Sequence, residues 1–350
     1  MSETRFYFST CQFGAERAVK AEVLRRHPSL RFAFSRPGFI TFKESDAGRP
    51  PIAHVDGIFV RLWGSSIAHG RGEAAREILD AVPAGALIHA FERDTFVPGD
   101  DPLGFVWNER IRRFVAVLPA DVRARHRWDE EPRPGEALYD LIWLDEGQVF
   151  LGRHVHGAHL APAPGNTPRI PLAASAPSRA YLKIEEAILR YGPPIRPGAR
   201  ALEVGCAPGG ATTAMLARGF AVRGIDPRRM DERLYREAHF TSVQKLARQV
   251  TVDDLRGFNP DWIVMDMSIA PLEALDELAH VIEILKASHG SSLAIEKGLL
   301  TLKLNDWAFA EMIPLYLKRI GEMGFADLKP TQLCSNRQEF FVLADAYRPR

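Results

Sequence analysis

The chain has 350 residues, 46% hydrophobic and 25% charged, with a formal net charge of +1. Those proportions belong to an ordinary globular protein of more than one domain, and the near-neutral balance excludes a global basic field, so any nucleic-acid contact must rest on local charge. No apolar run approaches the ~18–20 residues of a membrane helix, and the first residues lack a signal-peptide pattern. Three scattered cysteines, Cys11, Cys206 and Cys334, are too few for a disulfide framework or a zinc site, so the expectation is a reduced cytoplasmic protein with no membrane contact and no metal.

Residues 5–10 read as a strand and 14–26 as a helix with Ala18, Val19, Val23 and Leu24 apolar. Strands at 31–35 and 38–43 follow, turned at Arg36-Pro37-Gly38, and complete a small α+β unit over 1–55. A second mixed unit spans 56–165: a strand at 59–63, a helix at 73–81, a strand at 87–92, and a hairpin of 138–144 with 148–153. Within it, Arg110, Arg112, Arg113, Arg123, Arg125, His126 and Arg127 crowd one segment opposed locally only by Glu109 and Asp121, with Trp107, Phe114 and Trp128 beside them. Such a patch can hold RNA by phosphate contacts and base stacking, or be a solvated face whose aromatics belong to the core.

Residues 154–177 are loop-like and mark the domain boundary. From Ser178 strands and helices alternate, the pattern of a doubly wound parallel sheet. A helix is expected over 178–190 with Ser178 as cap, strands ending at Gly205 and Asp226, a helix at 230–238, and a third strand at either 242–246 or 249–252. Strands at 261–267 and 299–304, helices at 273–286 and 308–323, and an antiparallel edge of 326–333 with 339–344 complete the chain.

The turn Glu203-Val204-Gly205-Cys206-Ala207-Pro208-Gly209-Gly210 follows the first of these strands. Its form, E-x-G-x-x-P-G-G, lacks the third glycine that a dinucleotide pyrophosphate needs. An acid at the strand end suits an ammonium, and Asp226 at the end of the next strand can accept both hydroxyls of a ribose, so the turn favours S-adenosylmethionine. Lys183, Asp266, Lys303 and Glu339 stand at a helix and at strand ends where an open α/β sheet keeps its active site. Burial and a neighbouring cation, Lys183, would lower the Lys303 pKa and let it accept a proton from a ribose hydroxyl.

These residues resemble the FtsJ-like ribose 2′-O-methyltransferases, whose signature is a Lys-Asp-Lys-Glu tetrad, and among them the RlmM-type enzymes that methylate a cytidine of large-subunit ribosomal RNA. The resemblance is carried by Pro168-Arg169-Ile170-Pro171 with 176–187, by the glycine turn, and by Asn336-Arg337-Gln338-Glu339. It implies a Rossmann-like methyltransferase domain over 178–350, with Ser178 and Ala207 to Gly210 on the donor, Asp226 on its ribose, Asp266 near its methionine end, and Lys303 as proton acceptor. The acid that the family places after strand three would be Asp253, provided that strand is 249–252. The N-terminal half is similar in element order to a ferredoxin-like unit followed by a THUMP RNA-binding domain. Arg110, Arg112, Arg113, Arg123, Arg125, Arg127 and Arg179 are then the candidates for RNA contact. On the residues alone, a noncatalytic RNA-binding protein with a degenerate domain and a methyltransferase of another substrate are alternatives.

Overall fold

The computed structural model describes residues 4–45, 50–72, 74–96 and 108–348. The chain divides into two compact units, 1–169 and 170–350, split inside the expected loop stretch. Glu73, the expected start of one helix, and Trp107 lie outside the described residues.

In the N-terminal unit, alternating apolar residues build β1 (Arg5–Thr10), β2 (Leu30–Arg36), β3 (Phe39–Glu44) and β4 (Leu62–Arg71), with α1 (Glu16–Arg26) between the first two. After α2 (Ala74–Glu77) and a 3₁₀ turn come β5 (Leu87–Glu92), α3 (Glu109–Ala116), α4 (Ala120–Ala124), β6 (Arg127–Trp128), β7 (Ala137–Asp145) and β8 (Gln148–Val155). They form one eight-stranded sheet in the order β2-β3-β1-β4-β8-β7-β5-β6. β1 pairs with β4, so the segments 1–55 and 56–165 share a sheet. Phe8, Phe39 and Phe150 pack edge-to-face or stacked over its centre.

The C-terminal unit opens with α5 (Ala180–Tyr191), β9 (Arg200–Val204), α6 (Gly210–Ala217), β10 (Ala221–Ile225) and β11 (Phe240–Val243). It continues through α7 (Val252–Leu255), β12 (Trp262–Asp266), α8 (Pro271–His289), β13 (Lys297–Lys303), α9 (Ile313–Glu322), β14 (Phe325–Thr331) and β15 (Glu339–Tyr347). The sheet order is β11-β10-β9-β12-β13-β15-β14, parallel from β11 to β13, with β15 antiparallel to both its neighbours. β9 lies between β10 and β12, where the strand order reverses. Crevices beyond the carboxyl ends of strands at such a point bind ligands.

Two expectations fail here for local reasons. The helix expected over 230–238 is only a 3₁₀ turn, Leu234–Arg236. Its residues are held by the glycine turn instead: Asp231 N–H donates to the Pro208 carbonyl at 3.0 Å, and Met230 Sδ lies 3.4 Å from Cys206 Sγ. The third strand is Phe240–Val243, and 249–252 contains no strand, so the residues after the strand are Gln244, Lys245 and Leu246. Asp253 falls in α7, exposed and paired with Arg256, and does not occupy the strand end.

The glycines of the turn answer to the chain's own packing. Gly205 has φ +83°, and a Cβ there would stand 2.7 Å from the Asp266 carbonyl oxygen; Gly209 has φ +114° and backs onto Leu234. Gly205→Ala should therefore cost about 1–3 kcal/mol through left-handed strain alone, read as a lowered urea midpoint against wild type.

Candidate active site

Four charged side chains converge where β12, β13 and β15 meet α5. Lys303 ends β13 and lies directly across the antiparallel ladder from Glu339, the first residue of β15. Asp266 ends β12 beside Thr301, two residues from Lys303 on the same face. α5 contributes Lys183 from its buried side. Lys183 Nζ lies 2.7 Å from Asp266 Oδ2 and 2.7 Å from Glu339 Oε1, and Lys303 Nζ lies 2.9 Å from Asp266 Oδ1 and contacts Glu339 Oε2. The result is a closed ring in which each ammonium bridges both carboxylates. All four side chains are 22% exposed or less.

The ring reverses one expectation. Burial does work against the Lys303 charge, but Asp266 and Glu339 outweigh it, and its pKa stands above the ordinary 10.5 rather than below. Burial likewise pushes Glu339 up, and Lys183 and Lys303 overcome that, holding its carboxyl well below the ordinary 4.5. In the chain by itself Lys303 is an ammonium. The cation expected to depress it, Lys183, is offset by two acids.

Glu186, one turn of α5 beyond Lys183, holds the ring from behind. Its buried carboxylate accepts from the N–H groups of Cys334 and Ser335 at 2.7 and 2.9 Å and from the Ser335 hydroxyl at 2.8 Å, and pairs with Arg190 at 3.0 Å. Those residues form the turn before β15, where Asn336 Nδ2 donates to Glu339 Oε1 at 3.1 Å. Glu186 and Asn336 brace the ring, a part that residue-type reasoning assigned to neither. The signal for Glu186 was present: three residues from Lys183, it shares the same helix face.

Of the residues expected to hold the donor, the glycine turn and Asp226 lie at the ends of β9 and β10 and Asp266 at the end of β12, while Asp253 stands apart in α7. The turn 205–210 contains a cis Ala207–Pro208 bond, and Ser178 packs against Gly210. Ser178 is not a side-chain cap; α5 starts at Ala180. Asp226 Oδ2 accepts from the Ala207 N–H at 3.0 Å and Oδ1 from the Arg228 N–H at 2.8 Å. The remaining lone pairs face the Arg228 guanidinium, which is 66% exposed at its side chain and can yield to the two hydroxyls of a ribose. The donor set therefore fits an adenosyl group. Glu203 plays a different part from the one expected. It is buried, accepts from Thr212 Oγ1 at 2.5 Å, and burial raises its pKa to about 8, so near neutrality it offers no charge to an ammonium. Burial also pushes the Cys206 thiol up, leaving it an apolar packing group.

The basic segment is largely paired with acids, some local and some from other elements. Arg110 pairs with Glu92 at 2.8 Å, Arg113 with Glu109, Arg125 with Asp80 at 3.7 Å, and Arg127 with Glu130 and Glu136 at 2.8 and 2.7 Å. Phe114 and Trp128 pack on the core rather than standing out as stacking platforms. Arg112 and Arg123 have no ion pair among the described residues. Arg179 is half-buried immediately before α5.

Two stability measurements follow. Glu186→Ala removes the buried carboxylate that pairs with Arg190 and accepts from the Cys334 and Ser335 N–H groups, so it should cost about 3–5 kcal/mol, read by urea unfolding. For Glu203, the folded pKa lies above the ordinary 4.5, so its stabilising contribution is complete below pH 4.5 and is lost as pH rises toward about 8. The unfolding free energy of Glu203→Gln should therefore fall less than that of wild type between pH 5 and about 8. Parallel curves for the two proteins would remove this account of Glu203.

Residues 176–312 match the model of the FtsJ-like methyltransferase family. That span includes Lys183, Asp266 and Lys303, and the geometry adds Glu339 beyond it. Three proteins named Ribosomal RNA large subunit methyltransferase M are similar along much of the chain. The one from Tolumonas auensis is 27% identical over 288 residues, 77% of each chain. The one from Alkalilimnicola ehrlichii is 30% identical over 226 residues, 62% of this chain and 58% of that one. The one from a Shewanella species is 25% identical over 308 residues, 75% of this chain and 77% of that one. With the closed ring and the glycine turn on the same unit, residues 176–312 carry the FtsJ-like methyltransferase domain that the family model describes.

Proposed function

We propose that the chain transfers a methyl group from S-adenosylmethionine to a ribose 2′-hydroxyl of RNA, with large-subunit ribosomal RNA the substrate that its relatives' names indicate. The ring of Lys183, Asp266, Lys303 and Glu339 at the carboxyl ends of β12 and β13 is the observation that carries this reading.

The donor supplies a methyl group already activated on a positively charged sulfur. What the chain must supply is position and a proton acceptor, because a ribose hydroxyl is a weak nucleophile until its proton leaves. Lys303 Nζ takes the 2′-hydroxyl proton as the methyl moves to that oxygen. It must first be neutral, and a second positive charge brought close in a water-poor site pushes it that way. Once neutral, Lys303 is a strong acceptor, since Asp266 and Glu339 stabilise the ammonium that proton transfer creates. Lys183 keeps the two carboxylates apart and aligned, and it is in turn fixed by both.

The N-terminal unit is proposed to carry the RNA, as a ferredoxin-like and THUMP-like region would. The three buried free cysteines suit a reducing cytoplasm. A noncatalytic protein would have no need of an intact four-membered ring.

With labelled donor and total RNA, Lys303→Ala should lower transfer by about 10²–10⁴-fold while calorimetry still shows donor binding. Lys303→Arg should be as inactive, because a guanidinium cannot be deprotonated. Because the Lys303 pKa is raised, wild-type single-turnover rates should climb with pH above neutrality. Methyl incorporation by Lys303→Arg at the wild-type rate would reject Lys303 as the acceptor.

A further inference from the structure

The N-terminal unit encloses a cavity of about 110 Å³ that the reaction does not use. It has room for several waters or for one phosphate group. Four arginines line it: Arg61, Arg93, Arg112 and Arg169. Two of them are taken up by the fold. Arg61 pairs with Asp94 at 3.3 Å, and Arg93 pairs with Asp145 at 2.9 Å and donates to the Pro37 carbonyl at 2.8 Å.

Arg112 and Arg169 are exposed at the rim and are in no ion pair among the described residues. Both lie within electrostatic reach of half-buried Asp129, whose Oδ1 accepts the Ala90 N–H at 2.8 Å. The two carboxylates in the lining are already neutralised, Glu92 by Arg110 and Asp94 by Arg61.

Thr10 lines the cavity and is itself buried. The cavity wall is held in shape by Asn166, which accepts from the Ala161 N–H at 2.6 Å and donates to the Arg61 carbonyl at 2.5 Å. It also brings to one place residues far apart in sequence: Thr10, Arg112 from the basic segment, and Arg169 from the Pro168–Pro171 stretch.

We propose that this cavity takes a phosphate group of an RNA strand, with Arg112 and Arg169 gripping it from the rim. Guanidiniums match phosphate oxygens in paired hydrogen bonds, and such contacts set position rather than sequence preference. The inference rests on the reading of the chain as an RNA-modifying enzyme and names where its N-terminal unit holds the strand.

The test is binding of a single-stranded RNA oligonucleotide to the full chain from about 50 to 200 mM salt. Arg112→Ser with Arg169→Ser should weaken binding about ten-fold and lower the slope of log affinity against log salt by roughly 0.7. Donor binding measured by calorimetry should be as in wild type for this double variant, which shows that it is folded. Arg113→Ser, next on α3 but outside the lining, should bind as wild type does. Equal affinity and slope in the double variant, or an equal loss in Arg113→Ser, would overturn the cavity in favour of none or of a diffuse field. Wild type that binds donor but no RNA would instead defeat the RNA reading itself. Oligonucleotides with 5′-hydroxyl and 5′-phosphate ends that bind alike identify an internal phosphodiester, and preference for the phosphorylated end identifies a terminal group in the same cavity.

Discussion

Two ammonium groups and two carboxylates, alternating in a ring, set the terms for the C-terminal unit. Isolated buried charges are very unfavourable, and a buried ion pair is tolerated only when its geometry and hydrogen bonds are good. Here each charge meets two opposite charges, and Asn336 supplies a further donor to Glu339. The cost of closing this ring is carried by the sheet. β12, β13 and β15 must end in register, and α5 must lie with its Lys183 and Glu186 face inward. A slip of one residue between β13 and β15 would turn Glu339 to the opposite face and open the ring.

On the proposed reading, the ring lets Lys303 serve as a base while keeping it charged at rest. Asp266 and Glu339 make the protonated state the stable one, so the resting site is electrically balanced. The same acids favour the product of proton transfer. On the same reading, a further positive charge at hand favours the neutral state, which would couple the proposed base to the presence of the methyl donor. Glu186 extends this logic outward, since it ties the turn before β15 to the helix that bears Lys183.

The N-terminal unit shows a different use of charge. The arginines of its basic segment are dense in sequence, yet most are matched by acids, such as Glu92 on β5, Asp80 in the 3₁₀ turn and Glu136 just before β7. What remains for a partner is a small surplus at a built cavity rather than a broad basic face. This agrees with a net charge of only +1 for the whole chain. Localised charge of this kind limits long-range attraction and favours fixed points of contact.

Much of the site was legible in the order of residues. The glycine turn after an apolar run, Asp226 at the next strand end, and lysines and acids closing apolar segments all follow from the periodicity of strands and the position of their ends. The doubly wound unit with its antiparallel edge was likewise readable, because parallel buried strands are short apolar runs separated by helical spacing. The weak places were 230–255, where contacts with the glycine turn override helical spacing at 230–238 and the third strand is only four residues long. Sequence alone determined which side chains could do chemistry and roughly which strand ends bore them. Only the tertiary structure decided their state: that Lys303 is charged rather than neutral, that Glu203 keeps its proton near neutrality, and that the arginine run is mostly paired. Protonation and pairing depend on charges within a few ångströms, and those neighbours come from residues that the chain order keeps far apart.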